Sequence, residues 1–288
     1  MNKTINTIIT VLLLAISTTA IAGGGWPQKK GSGYVKLSEW WIISNQHYTD
    51  NGLIDPNVTT GIFNTSIYFE YGITNKLTAT AYVPFYSRAY NNNLVSATTG
   101  EILVPGEAIN SVGDTDLGLT YGLTSGTVNT TASIIFGLPL GIDDGGTQEN
   151  LQTGDGEFNQ MLKIDAGAGY KLLGRNAYAT VYVGYNNRTN GYSDEVRFGL
   201  ETGVSFFDDK LLALIRVFGV ESTNNGAGSV GANSTSIFAN NSEHISYSPE
   251  LNYSFSKNWG LSVGMAGAFS GKLIFASPSY SVGVFAKF

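Results

Sequence analysis

The feature that most constrains this fold is a two-residue alternation of apolar and polar side chains, sustained over segments much longer than an ordinary strand. In residues 158–170, Phe158, Gln160, Leu162, Ile164, Ala166, Ala168 and Tyr170 share one parity, and Asn159, Met161, Lys163, Asp165, Gly167 and Gly169 share the other. Successive side chains of an extended chain point to opposite faces, so one face suits an apolar medium and the other a polar one. Residues 195–206 repeat the pattern, with Val196, Phe198, Leu200, Val204 and Phe206 against Glu195, Arg197, Glu201 and Ser205, and residues 244–255 do so again. Twelve such segments are predicted, at 33–45, 61–71, 76–87, 113–123, 127–138, 158–170, 176–187, 194–206, 211–221, 244–255, 259–269 and 275–288. Each has about 11 to 14 residues; soluble strands average only ~5–6, whereas a tilted strand of this length crosses an apolar band of ~25 Å.

Composition says which medium the apolar face meets. Charged residues are 13% of the chain, about half the ~25% of a soluble domain. Residues 1–22 read as a secretory signal peptide, with Lys3, an apolar stretch from Ile8 to Ile16 and Ala20-Ile21-Ala22 before the expected cut. That stretch is shorter than the ~20 residues of a spanning helix, and nothing in 23–288 reaches such a length. The expectation is a signal peptide over 1–22 and one domain over 23–288: an all-β, antiparallel, up-and-down transmembrane barrel of about twelve strands in the outer membrane of a Gram-negative bacterium. Lipid and lipopolysaccharide are its expected surroundings. With no cysteine there is no disulfide framework or thiolate metal site, and 16 Lys and Arg against 22 Asp and Glu argue against nucleic acid. Asp143-Asp144 and the acidic residues of 50–55 lack calcium-loop spacing, so neither metal nor cofactor is expected.

The connections alternate in length. Short ones fall at 72–75, 124–126, 171–175, 207–210 and 256–258, and longer polar ones at 46–60, 88–112, 139–157, 188–193 and 222–243, with 270–274 an exception. Short periplasmic turns, long outer loops and an even strand number are the habit of outer-membrane barrels. The long loops, rich in Asn, Gly, Ser and Thr, are expected to be mobile and to carry no hydrophobic core. With this topology the last outward residues of the descending strands are Tyr71, Tyr121, Tyr170, Phe206, Phe255 and Phe288, all aromatic, as an interfacial girdle requires. Phe288, preceded in alternation by Tyr280, Val282, Val284 and Ala286, resembles the terminal signature read by the barrel assembly machinery.

Parity assigns Glu70, Asp114, Asp116, Lys163, Asp165, Glu195, Arg197, Glu201, Arg216, Glu250 and Asn252 to the interior as candidate pore-lining residues. The mixed signs allow either a slim polar conduit or a salt-bridge network that fills the lumen, and the acidic excess favours cations if water passes. Pro249, inside a strand and without an N–H, implies a bulge, kink or lateral opening. Glu39 falls on the face of Val35, Leu37 and Trp41 unless a bulge intervenes. His244 and Ser246 lie on one strand face within nucleophile–base reach, but no third member presents itself, and no catalytic residue is assigned.

Three short motifs carry a family likeness. Gly113-Asp114-Thr115-Asp116-Leu117-Gly118-Leu119-Thr120-Tyr121, then Phe136-Gly137-Leu138-Pro139-Leu140-Gly141, then Thr153-Gly154-Asp155-Gly156 ahead of Gly167-Ala168-Gly169-Tyr170 resemble the outer-membrane family named for the MetA pathway of phenol degradation. Its members are described as transporters and are distantly similar to outer-membrane channels for fatty acids and aromatic hydrocarbons. Residues 25–34 resemble the start of exopolysaccharide-associated outer-membrane proteins. The resemblance implies passive passage of small compounds, aromatic or hydrophobic ones included. Two alternatives stay open: a non-transporting surface protein tied to exopolysaccharide or envelope function, and an outer-membrane lipid hydrolase. Hydrocarbon channels have a substantial N-terminal plug; here only residues 23–32 precede the first strand, enough to dip into a pore but not to form a folded hatch.

Overall fold

A computed structural model describes residues 24–228 and 237–288; the expected signal peptide lies outside the described residues. Fifteen strands follow in order: β1 (Gly33–Tyr48), β2 (Ile54–Gly72), β3 (Leu77–Asn91), β4 (Leu94–Val95), β5 (Ile102–Val104), β6 (Glu107–Ser111), β7 (Thr115–Thr124), β8 (Asn129–Leu138), β9 (Asn159–Leu172), β10 (Arg175–Arg188), β11 (Glu195–Phe206), β12 (Leu211–Ser222), β13 (Glu243–Ser254), β14 (Trp259–Lys272) and β15 (Ser279–Lys287). Twelve of them close an antiparallel barrel: β1, β2, β3, β7 and onward in sequence order to β15, which pairs back onto β1. Closure leaves no wall strand with an unpaired edge, which a hydrocarbon surround demands. β4 and β5 form a small hairpin in the loop above β3, and β6 pairs only with residues 87–91 at the top of β3.

The lipid face is built as the alternation requires. Leu37, Ile67, Leu117, Leu119, Leu162, Ile164, Val181, Val183, Leu200, Leu251, Val263 and Val282 all stand exposed on the outer wall. A second aromatic belt, not foreseen in the sequence, rings the upper rim: Trp41 tilts on Tyr280, Phe63 stacks on Tyr90, Phe136 on Phe158, and Tyr247 meets Phe269. Glycine has a constructional use here. Tyr178 and Tyr182 pair directly with Gly203 and Gly199, and Tyr247 and Phe285 with Gly267 and Gly260, so each ring lies down over a neighbour that has no side chain.

One local expectation is corrected, and two that were left open take a definite form. Pro249 does not bulge its strand: it stays opposite Ile215, and on the β14 side Tyr247↔Gly267 and Glu250↔Gly264 keep one register. A residue without an N–H breaks rungs without shifting them, and the bulge on this ladder falls at Phe269 instead. Glu39 faces outward with no bulge to turn it, pairing with Val282 and Thr65, and accepts a hydrogen bond from Thr65 Oγ1 at 2.6 Å. The final strand begins at Ser279 rather than 275, because Ile274 and Phe275 are drawn inward and buried.

The outer loops also carry a core. Leu151 of the 139–157 loop is 1% exposed and packs with Ile42, Ile62, Ala89 and Phe275, flanked by Trp40, Ile109 and Phe238. β1 and β2 run on beyond the predicted rim to Tyr48 and Ile54. Polar composition hid this because only two or three apolar side chains per loop are needed to anchor it.

Candidate functional site

The interior divides into three levels. At the lower end, residues 24–32 fold back into the barrel: Gly31 N–H donates to the Gly72 carbonyl at 2.8 Å, and Gln28 donates through Nε2 to Glu70 at 2.6 Å. Trp26 stands edge-on to Tyr178 with centroids 6.1 Å apart. Its ring occupies the space over Gly167, where an added Cβ would stand 2.7 Å from it. That gives Gly167 a steric reason for being glycine.

The middle level is a chamber of about 640 Å³. Tyr34, Tyr68, Tyr82, Tyr178 and Tyr182 contribute to its wall, together with Phe285. A belt of charge runs round it: Lys36 to Glu250 at 3.3 Å, Glu250 to Arg216 at 2.9 Å, Arg216 to Glu201, and Tyr178 Oη donating to Glu201 at 2.6 Å. Lys36 reaches past β15 and β14 to β13 because Gly283 lies beneath it, where a Cβ would come within 2.9 Å of its Cε. Beside the chamber lies a smaller cavity of about 230 Å³, lined in part by Trp26, Asp116, Thr120 and Ser133. Glu70, Lys163 and Asp165 line both, and Asn252 lines the chamber.

The upper level is the loop 139–157, held by two charged nodes. Asp114 accepts the N–H of Gly141 at 2.9 Å and that of Asp155 at 2.8 Å. The three motif pieces noted in the sequence therefore meet at one carboxylate. Arg188, at the top of β10, is 8% exposed and is bonded to Asp155, Glu157 and Glu195 at 2.9, 2.7 and 2.8 Å. Arg197 shares Glu195 at 2.7 Å. Burial, then the neighbouring Asp114, push the Asp155 carboxyl up to about 7, with Arg188 pulling the other way.

The candidate residues thus fall on two levels. Glu70, Asp116, Lys163, Asp165, Glu201, Arg216, Glu250 and Asn252 line the two middle cavities, while Asp114, Glu195 and Arg197 hold the mouth. Arg188 and Glu157, the most buried ion pair of that mouth, escaped strand parity because one ends a strand and the other sits in a loop. His244 Nδ1 lies 2.9 Å from Ser246 Oγ, with the imidazole edge-on to Phe218, while Glu243 is tied to Lys272. Among the described residues no group of three or more acidic or histidine side chains is arranged to hold a metal ion.

No family model matches the sequence, and no curated protein matches it either. Solved structures do. An outer membrane channel from Pseudomonas putida F1 superposes with a TM-score of 0.57 at 12% identity, over 94% of this chain and 100% of that one. The translocator domain of the autotransporter NalP from Neisseria meningitidis gives 0.48 at 10% identity over 91% and 90%, and the KdgM porin 0.45 at 10% over 88% and 99%. The likeness to the Pseudomonas protein is one of fold, and it places this chain among barrels of the outer-membrane type.

Proposed function

We propose that this chain is an outer-membrane channel for passive passage of small solutes, aromatic and hydrophobic ones included, exported by the signal peptide at 1–22. The observation that carries the reading is the central chamber, whose tyrosine wall and paired charges suit a small amphipathic molecule. Rings offer stacking surface to an apolar body, and the fixed charges keep a polar path beside it. The segment 24–32 below and the docked loop 139–157 above narrow the lumen, which favours a small solute. The motif resemblance to the phenol-degradation family points to the same class of solute. Assembly through the Phe288 signature and contact with lipopolysaccharide belong to this reading.

The test is single-channel conductance of the refolded mature chain in planar bilayers, paired with influx into liposomes. The expected result is a small, stable, cation-preferring conductance and faster entry of phenol or benzyl alcohol than of a hexose. A folded barrel that carries no current and admits none of the three faster than protein-free liposomes do would overturn the proposal.

A further inference from the structure

The smaller cavity beside the chamber has a chemistry of its own. Its wall holds three carboxylates, Glu70, Asp116 and Asp165, against one ammonium, Lys163. Glu70 is satisfied by neutral donors, Gln28 Nε2 at 2.6 Å and Tyr68 Oη at 2.5 Å, so its charge is not cancelled there. Asp165 is 3% exposed; Lys163 holds its Oδ1 at 3.1 Å, and its Oδ2 is buried with no hydrogen-bond partner among the described residues. A buried carboxylate oxygen without a donor is costly and calls for one. Trp26, Tyr68 and Tyr82 supply ring surface around the same space.

We infer that this cavity binds a small organic ammonium ion, its N–H groups directed to Asp165 and Asp116 and its body against the rings. The inference rests on the channel reading above only for what the site would do, namely select among solutes. Excess negative charge in an enclosed cleft draws cations, and aromatic faces add to the attraction. A hard metal ion is a poorer fit, since it wants six or more converging oxygens, whereas these carboxylates surround the space without converging. Access comes from the chamber, which shares Asp165 and Lys163; the Lys163 side chain, 23% exposed and lying over the Tyr182 ring, is the cation with which the ligand competes for Asp165.

Calorimetric titration of the mature chain in detergent micelles at pH 7 tests this with three probes of one shape: benzylammonium, benzyl alcohol and benzoate. Benzylammonium should bind at one site, and the alcohol and benzoate roughly tenfold more weakly or worse. Asp165→Asn should weaken benzylammonium by about tenfold and leave the alcohol unchanged. Should that variant not fold, as judged by the heat-dependent gel shift of the barrel, Asp116→Asn, at a more open position, carries the same expectation. Equal affinity for alcohol and ammonium, or a folded variant that binds ammonium like the native chain, overturns the inference. Binding is read apart from transport: ammonium binding in a barrel silent in bilayers would sink the channel reading and keep this site. Conductance without ammonium binding would do the reverse.

Discussion

Asp155 shows how one side chain couples the outer mouth to pH. Its carboxyl titrates at about 7 in the docked loop, against an ordinary value of 3.8. The docked loop therefore holds a proton that the free loop would release. Its contribution to docking is complete below the ordinary value and is lost as pH rises through about 7. A spin label on Gln148→Cys, at the exposed tip of this loop, should be more immobile at pH 5 than at pH 8, and Asp155→Asn should remove the difference. A label equally mobile at both pH values in the native chain would count against this account. Arg188 is the counterweight: one guanidinium serves three carboxylates, and its loss would strand Glu157 as a buried uncompensated charge and leave Glu195 to Arg197 alone. At this scale the sequence was informative wherever a side chain's face followed from parity. It was silent on Asp155 and Arg188, whose partners come from distant loops and strand ends.

Among elements, the 139–157 loop departs most from expectation. Nineteen polar-rich residues with two adjacent aspartates read as a solvated excursion, yet the loop turns inward and is fastened at three kinds of point. Leu151 enters the apolar cluster, the Gly145–Leu151 bridge shapes the tip, and Glu107 of β6 accepts the N–H of Thr147 at 2.7 Å. Replacing Leu151 with Ala should weaken the docking by ~2–4 kcal/mol, as for other buried leucines. The same Gln148 label would report it as increased mobility at pH 5; unchanged mobility would mean that the polar contacts alone hold the loop. The 24–32 segment is the counterpart at the lower end, short as its length dictates but anchored by Trp26 and Gln28 rather than loose.

For the molecule as a whole, the closed wall makes a parity claim that labelling can check. The chain has no cysteine of its own, so single cysteines report without background. Those replacing Leu200 and Leu251 should resist aqueous thiol reagents in a bilayer, and those replacing Glu201 and Glu250 should react through the chamber. The reverse pattern would dismantle the assignment of faces. Glu39 is an acid that breaks the rule on the outer wall; Thr65 is its hydrogen-bond donor, and Arg88 and the rings of Phe63, Tyr86 and Tyr90 share its hollow.

What the sequence determined by itself was the barrel: strand number, antiparallel order, which side chains meet lipid, and the lower aromatic girdle. These depend on a two-residue period and on turn length, both local properties that survive without knowledge of any partner. Only the tertiary structure decided how the lumen is divided. The chamber and the smaller hollow beside it depend on contacts between residues more than a hundred positions apart, such as Lys36 with Glu250 and Trp26 with Tyr178. No period in the chain encodes such meetings; they follow from the curvature of a closed sheet, which brings distant staves to face one another across a narrow interior.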